Sequence, residues 1–349
     1  MRFETVAPVH TSIADAVQHK LDVLTKPIGS LGALEAIAKK MALIQGTLTP
    51  RITAKRVYVF AADHGIAREG VSAYPSEVTG QMVHNFIAGG AAVNVFARHA
   101  GVEVFVVDAG VMADSASDSP RLVVKKVLRG TKNFAHEPAM TREEVEQAIR
   151  NGSDIARDAI NEGTDLLVIG DMGIGNTTTA TAICAAAGLP LDELVDIGTV
   201  IDAETIDRKK SVIRRALDLH QPDRRDPLDI LRTVGGACIA GMVGMIVTAA
   251  ARRVPVVLDG YPVTSAAIIA AMIDPAVKDY LFAGHLSAVK GHACLLEELN
   301  LAPILRLDMR LGEGTGGVLA VGIIEAAVKM LNEMASFDSA SISKGHEAN

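Results

Sequence analysis

The residues best equipped for chemistry lie in three glycine-punctuated loops, each following a short apolar run. The first reads Gly170-Asp171-Met172-Gly173-Ile174-Gly175-Asn176-Thr177-Thr178-Thr179-Ala180 and leads into an Ala-rich stretch. Such glycines let the backbone turn tightly, so that successive N–H groups and a helix N-terminus face one anion, a phosphate being the natural guest. Gly170 and Gly175 have the spacing of a nucleoside-triphosphate loop, yet Asn176 stands where that loop needs a lysine for the β- and γ-phosphates. Gly173 and Gly175 begin a dinucleotide fingerprint, but its third glycine position is Thr178. A monophosphate cradle with added threonine hydroxyls remains, beside the plainer reading of a strand-to-helix turn with capping threonines.

The second loop, Asp308-Met309-Arg310-Leu311-Gly312-Glu313-Gly314-Thr315-Gly316-Gly317, sets one carboxylate between two glycines. A carboxylate so flanked can project into a cleft, where apolar walls raise its pKa and make it a proton acceptor near neutral pH. The competing reading is a helix start at which Glu313 meets the positive end of the helix dipole. The third loop runs from Ala61 to Pro75 and contains Asp63-His64-Gly65. No second histidine or carboxylate follows Asp63-His64 at metal-ligand spacing. His285 and His292 are placed about 10 Å apart along a helix rising ~1.5 Å per residue, too far to share an ion, so no metal site is expected. Most of the ten histidines are read as surface or core residues. Neither a Gly-x-Ser-x-Gly elbow nor a reactive-looking cysteine is present, which disfavours acyl transfer.

These loops need strands to hold them. Arg56–Phe60, Val102–Val107, Asp165–Ile169, Val254–Leu258 and Pro303–Leu307 are near-continuous apolar runs separated by helical stretches. That pattern predicts an α/β fold: a Rossmann-like, mostly parallel sheet with helices on both faces and ligands beyond the carboxyl ends of its strands. Pro75-Ser76-Glu77 opens a helical stretch reaching about Ala100, Thr141 to Glu144 forms a capping box, and Asp226-Pro227 starts another helix. The first fifty residues and Val318–Met334 read as helical, while Ser336–Asn349 reads as a frayed tail. The division expected is a large catalytic domain over 51–310, with 1–50 and 311–349 together forming a small helical domain.

Composition narrows the function. The 349 residues are 49% hydrophobic but only 3% aromatic, so the core must be Ala, Val, Ile and Leu, which suits helices packed closely on a sheet. A net charge of −7 with scattered Lys and Arg disfavours nucleic acid. Cys184, Cys238 and Cys294 sit far apart among apolar residues and read as reduced thiols of a cytoplasmic protein, with no export signal after Met1. Met172–Leu191 and Val234–Ala251 are free of charge apart from their flanks, and their glycines and strand-helix context favour buried helices over membrane spans.

Six segments, taken together and in order, resemble the nicotinate-nucleotide:dimethylbenzimidazole phosphoribosyltransferase family. They are Lys26-Pro27-Ile28-Gly29-Ser30-Leu31-Gly32, Asp63-His64-Gly65, Glu69 to Pro75, Gly173 to Thr178, Leu258-Asp259-Gly260 and Arg310 to Gly316. The resemblance implies a homodimer that transfers the phosphoribosyl group of nicotinate mononucleotide to dimethylbenzimidazole, with inversion and release of nicotinate and without a cofactor, for the lower ligand of cobalamin. It implies Glu313 as general base, a phosphate site at Gly173, Gly175, Asn176, Thr177 and Thr178 assisted by Lys209, and a base pocket bordered by Ser72, Tyr74 and Gln81. Asp171 and Gly314 belong to the same substrate-binding set. Asp171 departs from the family's more usual Glu by one methylene, which puts its ligand contact in question. The reaction so implied needs no acid for the leaving group, because nicotinate departs from a pyridinium as an uncharged ring nitrogen. A Rossmann-type dehydrogenase, with Asp108 as its ribose acid, and a non-catalytic binding protein for nicotinate nucleotides or benzimidazole are the alternatives.

Overall fold

The computed structural model describes residues 1–115, 118–195 and 203–343. The chain opens with α1 (Ala14–Asp22) and α2 (Ala33–Gln45), followed by β1 (Lys55–Ala62), α3 (Glu77–Ala88) and α4 (Ala92–Ala100). Next come β2 (Glu103–Gly110), β3 (Leu122–Val124), α5 (Arg142–Asn161), β4 (Leu166–Met172), α6 (Asn176–Ala187), α7 (Leu191–Leu194) and α8 (Ala203–His220). Then follow α9 (Pro227–Val234), α10 (Ala237–Ala251), β5 (Val256–Leu258) and α11 (Tyr261–Ile273). The last elements are β6 (Leu281–His285), α12 (Gly291–Glu298), β7 (Pro303–Leu305) and α13 (Thr315–Glu333).

All seven strands are parallel, in the order β3-β2-β1-β4-β5-β6-β7. The continuous apolar runs at β1 and β4 have their explanation here, because both central strands are buried on either side. One helical layer is built on α10, which packs against α5 and α11, and the other on α13, which packs against α2 and α4. The expected α/β architecture is therefore present. Two strands have no counterpart in the sequence pattern: β3 is a three-residue edge strand, and β6 contains Ala283 and Gly284, which weaken its β signal. β4 also runs on through Gly170 and Asp171 to Met172, so Asp171 lies in the strand and not in the loop. The stretch expected as one helix from 75 to 100 is two, broken where Gly89 takes a φ of 80°.

The helix starts read from sequence are built as anticipated. The Thr141 hydroxyl accepts from Glu144 N–H at 3.2 Å while the Glu144 carboxylate accepts from Thr141 N–H at 2.7 Å. Asp226 caps α9 by accepting from Leu228 N–H at 3.0 Å. The chain ends meet: Thr25 N–H donates to Ala335 C=O and Phe337 N–H to Val23 C=O, each at 3.0 Å. Ser336 to Ser339 forms a hydrogen-bonded turn, so this part of the expected frayed tail is pinned, and residues 344–349 lie outside the described residues. α13 is long and apolar enough to cross a membrane, by length and composition. In the fold it lies on β4 to β7 with one face buried, and α10 is a core helix, buried along nearly its whole length.

The contact between α5 and α10 is made by backbone. A Cβ on Gly152 would collide with the Gly241 carbonyl, and one on Gly244 with the Ile149 carbonyl. Gly322, in contrast, lies in α13 with no atom near the place of a Cβ. In denaturant melts, Gly152→Ala is expected to lower stability by about 1–3 kcal/mol through overpacking. Gly322→Ala is expected to raise it by about 0.5–1 kcal/mol, since alanine gives up less freedom in a helix.

Candidate active site

In this strand order the connections reverse direction between β1 and β4, where crevices form at the carboxyl ends of open parallel sheets. Phe60 pairs with Asp171 and Ala61 with Met172, so Asp63-His64 and the Gly173–Thr178 loop emerge side by side. The turn before α13 descends onto the same edge. A Cβ on Gly170 would stand 2.5 Å from Gly314 N and 2.6 Å from Glu313 C, so only glycine admits this approach.

That turn holds Glu313. Gly312, Glu313 and Gly314 all have left-handed backbone, with φ of 86°, 65° and 90°. A glutamate so placed is strained, by about 1 kcal/mol or more, and must be held there by its surroundings. Asp259, just beyond β5, provides the hold. Its Oδ2 accepts from Gly314 N–H at 2.9 Å, and its Oδ1 from Gly316 N–H at 2.7 Å and Gly317 N–H at 3.1 Å. Glu313 N–H reaches the Asp171 carbonyl at 3.3 Å. The Glu313 side chain is only 6% exposed, and its Oε2 is buried without a partner. Burial, and secondarily the negative charge of Asp259, push its pKa up to about 7.

The glycine loop is equally ordered. Gly175 has a φ of 93°, and its carbonyl accepts from Thr178 and Thr179 N–H as α6 begins. Asn176 Nδ2 donates to Asp171 Oδ2 at 2.8 Å, while Asn176 Oδ1 accepts from Thr177 N–H at 2.7 Å. Lys209 reaches in from α8 and donates to the Thr177 hydroxyl at 3.0 Å. Burial lowers the Lys209 pKa to about 8 and raises that of Asp171 to about 6. Asp171, Asn176, Thr177, Asp259, His285 and Arg310 line one hollow of about 80 Å³, with Gly312 at its rim. Thr178 is fully buried and does not line this hollow, and its hydroxyl has no partner.

The residues expected around a base pocket are more dispersed. Gln81 lines a separate hollow of about 460 Å³ with Asp63, Ser76, Glu77, His84 and Met112. Ser72 and Tyr74 lie on the preceding turn, where the Ser72 hydroxyl accepts from Tyr74 N–H at 3.4 Å, and the Tyr74 ring is exposed. Asp108, the candidate ribose acid of a dehydrogenase, is fully buried, accepts from Val111 N–H at 2.9 Å and pairs with Lys126 at 3.1 Å. It is not free to bind a ribose, which removes the dehydrogenase reading.

The sequence alone assigns Asp259 no role, although an acid followed by glycine at the end of a strand is the available signal. It also leaves His285 aside, because the spacing places it and His292 on one helix. They lie instead on β6 and α12, with ring centroids 6.1 Å apart. His285 Nε2 is 3.6 Å from Asp259 Oδ1, and neither of its ring nitrogens has a hydrogen-bond partner. Among the described residues, no group of three or more His, Cys, Asp or Glu side chains is arranged to hold a metal.

A parallel sheet with a phosphate-type glycine loop and a sheltered carboxylate at its reversal point defines an α/β group-transfer enzyme. The family described as phosphoribosyltransferase matches residues 6–342. The chain belongs to the nicotinate-nucleotide–dimethylbenzimidazole phosphoribosyltransferases. The enzyme of that name from Chloroflexus aggregans is 52% identical over 344 residues, covering 98% of this chain and 97% of the relative. That from Geobacter sulfurreducens is 51% identical over 341 residues, covering 97% of each. The crystal structure of the Thermus thermophilus enzyme of that name superposes with a TM-score of 0.91 at 45% identity, covering 96% of this chain and 99% of that one.

The raised Glu313 pKa has a consequence for stability. With a folded value of about 7 against 4.5, the native chain keeps a proton that the unfolded chain has already released. Stability therefore falls as pH rises from 4.5 through about 7 and stays lower above it. Glu313→Gln removes this penalty, so its melting temperature relative to wild type is expected to be higher at pH 8 than at pH 5 in thermal melts.

Proposed function

We propose that this enzyme transfers the phosphoribosyl group of nicotinate mononucleotide to 5,6-dimethylbenzimidazole, with inversion at C1′, giving α-ribazole 5′-phosphate and nicotinate. The observation that carries the mechanism is the unpartnered, sheltered Glu313 carboxylate held by main chain against the end of the glycine loop. One imidazole nitrogen of the acceptor attacks C1′ with its lone pair as the bond to the nicotinate nitrogen breaks. The departing electron pair neutralises the pyridinium, so the leaving group takes no proton. The other acceptor nitrogen gives its proton to Glu313. A base whose pKa lies near 7 is about half ionised at neutral pH yet strong enough to receive that proton.

The glycine loop receives the donor's phosphate in this reading, with Asn176, Thr177 and Lys209 around it. The Lys209–Thr177 hydrogen bond places a cation and a hydroxyl beside the N-terminus of α6, which itself favours an anion. Gly173 and Gly175 keep side chains out of the loop, Gly314 carries the backbone tie that fixes the base, and Thr178 contributes by ordering the first turn of α6. Asp171 borders the donor, and the Gln81 hollow with Ser72 and Tyr74 takes the flat acceptor. Residues 1–50 and 311–349 would act as a small helical unit beside the main domain. Exposed Ile28, Tyr74, Leu307 and Leu311 suit burial against a second copy, in a cytoplasmic homodimer whose thiols stay reduced.

Purified protein incubated with nicotinate mononucleotide and dimethylbenzimidazole should release nicotinate and form the riboside phosphate in equal amounts, as read by chromatography. Binding without nicotinate release would support a carrier and overturn the reading. Glu313→Gln should keep the fold and lose about 10²–10⁴-fold in turnover, the usual contribution of a positioned base. With Glu313 needed ionised and Lys209 needed charged, kcat/KM should fall below about pH 7 and above about pH 8. The acid limb near 7 should be absent from the residual activity of Glu313→Gln.

A further inference from the structure

Asp63-His64 lacks further ligands at metal spacing in the sequence, and the proposed reaction gives His64 no part. The structure nevertheless builds a slot for its ring. His64 is 2% exposed, and burial lowers its pKa to about 4, so the imidazole is neutral. A Cβ on Gly173 would stand 2.9 Å from its Nε2, and one on Gly236 would stand 2.6 Å from its Cε1. Two glycines from different segments thus make room for this one ring, and one of them belongs to the glycine loop.

Both ring nitrogens are engaged. The Thr179 hydroxyl in the first turn of α6 is 3.0 Å from Nδ1, and the Cys238 thiol at the start of α10 is 3.5 Å from Nε2. Cys238 in turn lies beside Asp171, whose Oδ1 is buried without a hydrogen-bond partner. A neutral imidazole has one donor and one acceptor nitrogen, which suits a chain of single polarity. Thr179 O–H donates to Nδ1 and Nε2–H donates to Sγ, which leaves the thiol proton for the unpartnered Asp171 oxygen beside it. The other Asp171 oxygen is held by Asn176 of the glycine loop.

We propose that His64 is a positioning residue, which through Cys238 and Thr179 locks the Asp171 carboxylate and the glycine loop into one rigid donor-binding unit. This rests on the reading of that loop as the nicotinate mononucleotide site. Because Asp171 is one methylene shorter than glutamate, its reach is fixed by what stands behind it, and the thiol of Cys238 is the group in that place. The neighbouring residue works on the loop's other side: Asp63 accepts from Met112 N–H at 2.7 Å and lies beside Thr79, whose hydroxyl accepts from Ile174 N–H at 3.1 Å.

The test compares isosteres in steady-state kinetics. The amide of His64→Gln overlies Nε2 and keeps the Cys238 arm, whereas that of His64→Asn overlies Nδ1 and loses it. His64→Asn and Cys238→Ala should each raise KM for nicotinate mononucleotide about tenfold, with kcat within about threefold of wild type and a cooperative melt retained. His64→Gln and Cys238→Ser, which keep a donor in the gap, should stay within about threefold of wild type in KM. The His64→Asn/Cys238→Ala double variant should be no worse than either single change, because both break one chain. Unchanged KM in both single variants, or a double variant whose defects multiply, would overturn the proposal. If His64→Asn does not fold, the Cys238→Ala and Cys238→Ser pair decides it: equal KM values overturn it, a tenfold gap supports it. Wild-type protein that makes no riboside phosphate would instead overturn the functional reading, before any variant is considered.

Discussion

The site depends on one carboxylate that takes no part in bond changes. Asp259 lies at the end of β5 and accepts three backbone N–H groups from the turn that becomes α13. The first N–H groups of a helix have no partner within it, and a carboxylate there is favoured both by hydrogen bonding and by the helix dipole. Burial pushes the Asp259 pKa up, and the neighbouring His285 and the three backbone N–H bonds work against that rise and favour its anion. Its attachment draws the helix so close to the sheet that Gly170 and Gly284 pass against main chain at Gly314 and Gly317. The left-handed torsion of Glu313 is maintained by that contact, since the residues on either side of it cannot relax without breaking it.

The same anion acts at a distance. Asp259 raises the pKa of Asp171 as well as that of Glu313, so three neighbouring acids are kept from ionising together at low cost. One is committed to the helix, and burial, with that field added to it, sets the other two in a range where they respond near neutrality. In the proposed reaction this division of labour suits Glu313 to the part of base. Both contributions to its pKa, shelter and like charge, come from the way α13 is seated.

Much of this fold is legible in the sequence. The buried runs at β1, β2, β4, β5 and β7 carry their own signal, as do the caps at Thr141 and Asp226, because each is a local property of the residues involved. β6 escapes because Ala283 and Gly284 are small, and they are small because α13 crosses them: a Cβ on Gly284 would meet Gly317 at 2.7 Å. β3 escapes because three residues paired to a single neighbour leave little pattern. In the site, Glu313 and the glycine loop are visible through their flanking glycines. Asp259, His285 and His64 are not, since each acquires its function only by meeting residues far along the chain.

His64 shows why motif logic misleads at that position. An Asp-His pair in a loop suggests ligands that converge on an ion, but here the two side chains diverge, His64 toward Thr179 and Cys238 and Asp63 toward Thr79 and Met112 N–H. Diverging side chains from adjacent residues are what the alternation of an extended backbone gives, and His64 has φ −112° and ψ 119°. The pair therefore grips the glycine loop from two sides instead of binding a guest between them. A loop that must present N–H groups to an anion gains from such a grip, because any freedom it kept before binding would have to be lost on binding. In the proposed reaction, rigidity behind the loop and strain at Glu313 serve one end: both substrates meet groups that are already in place.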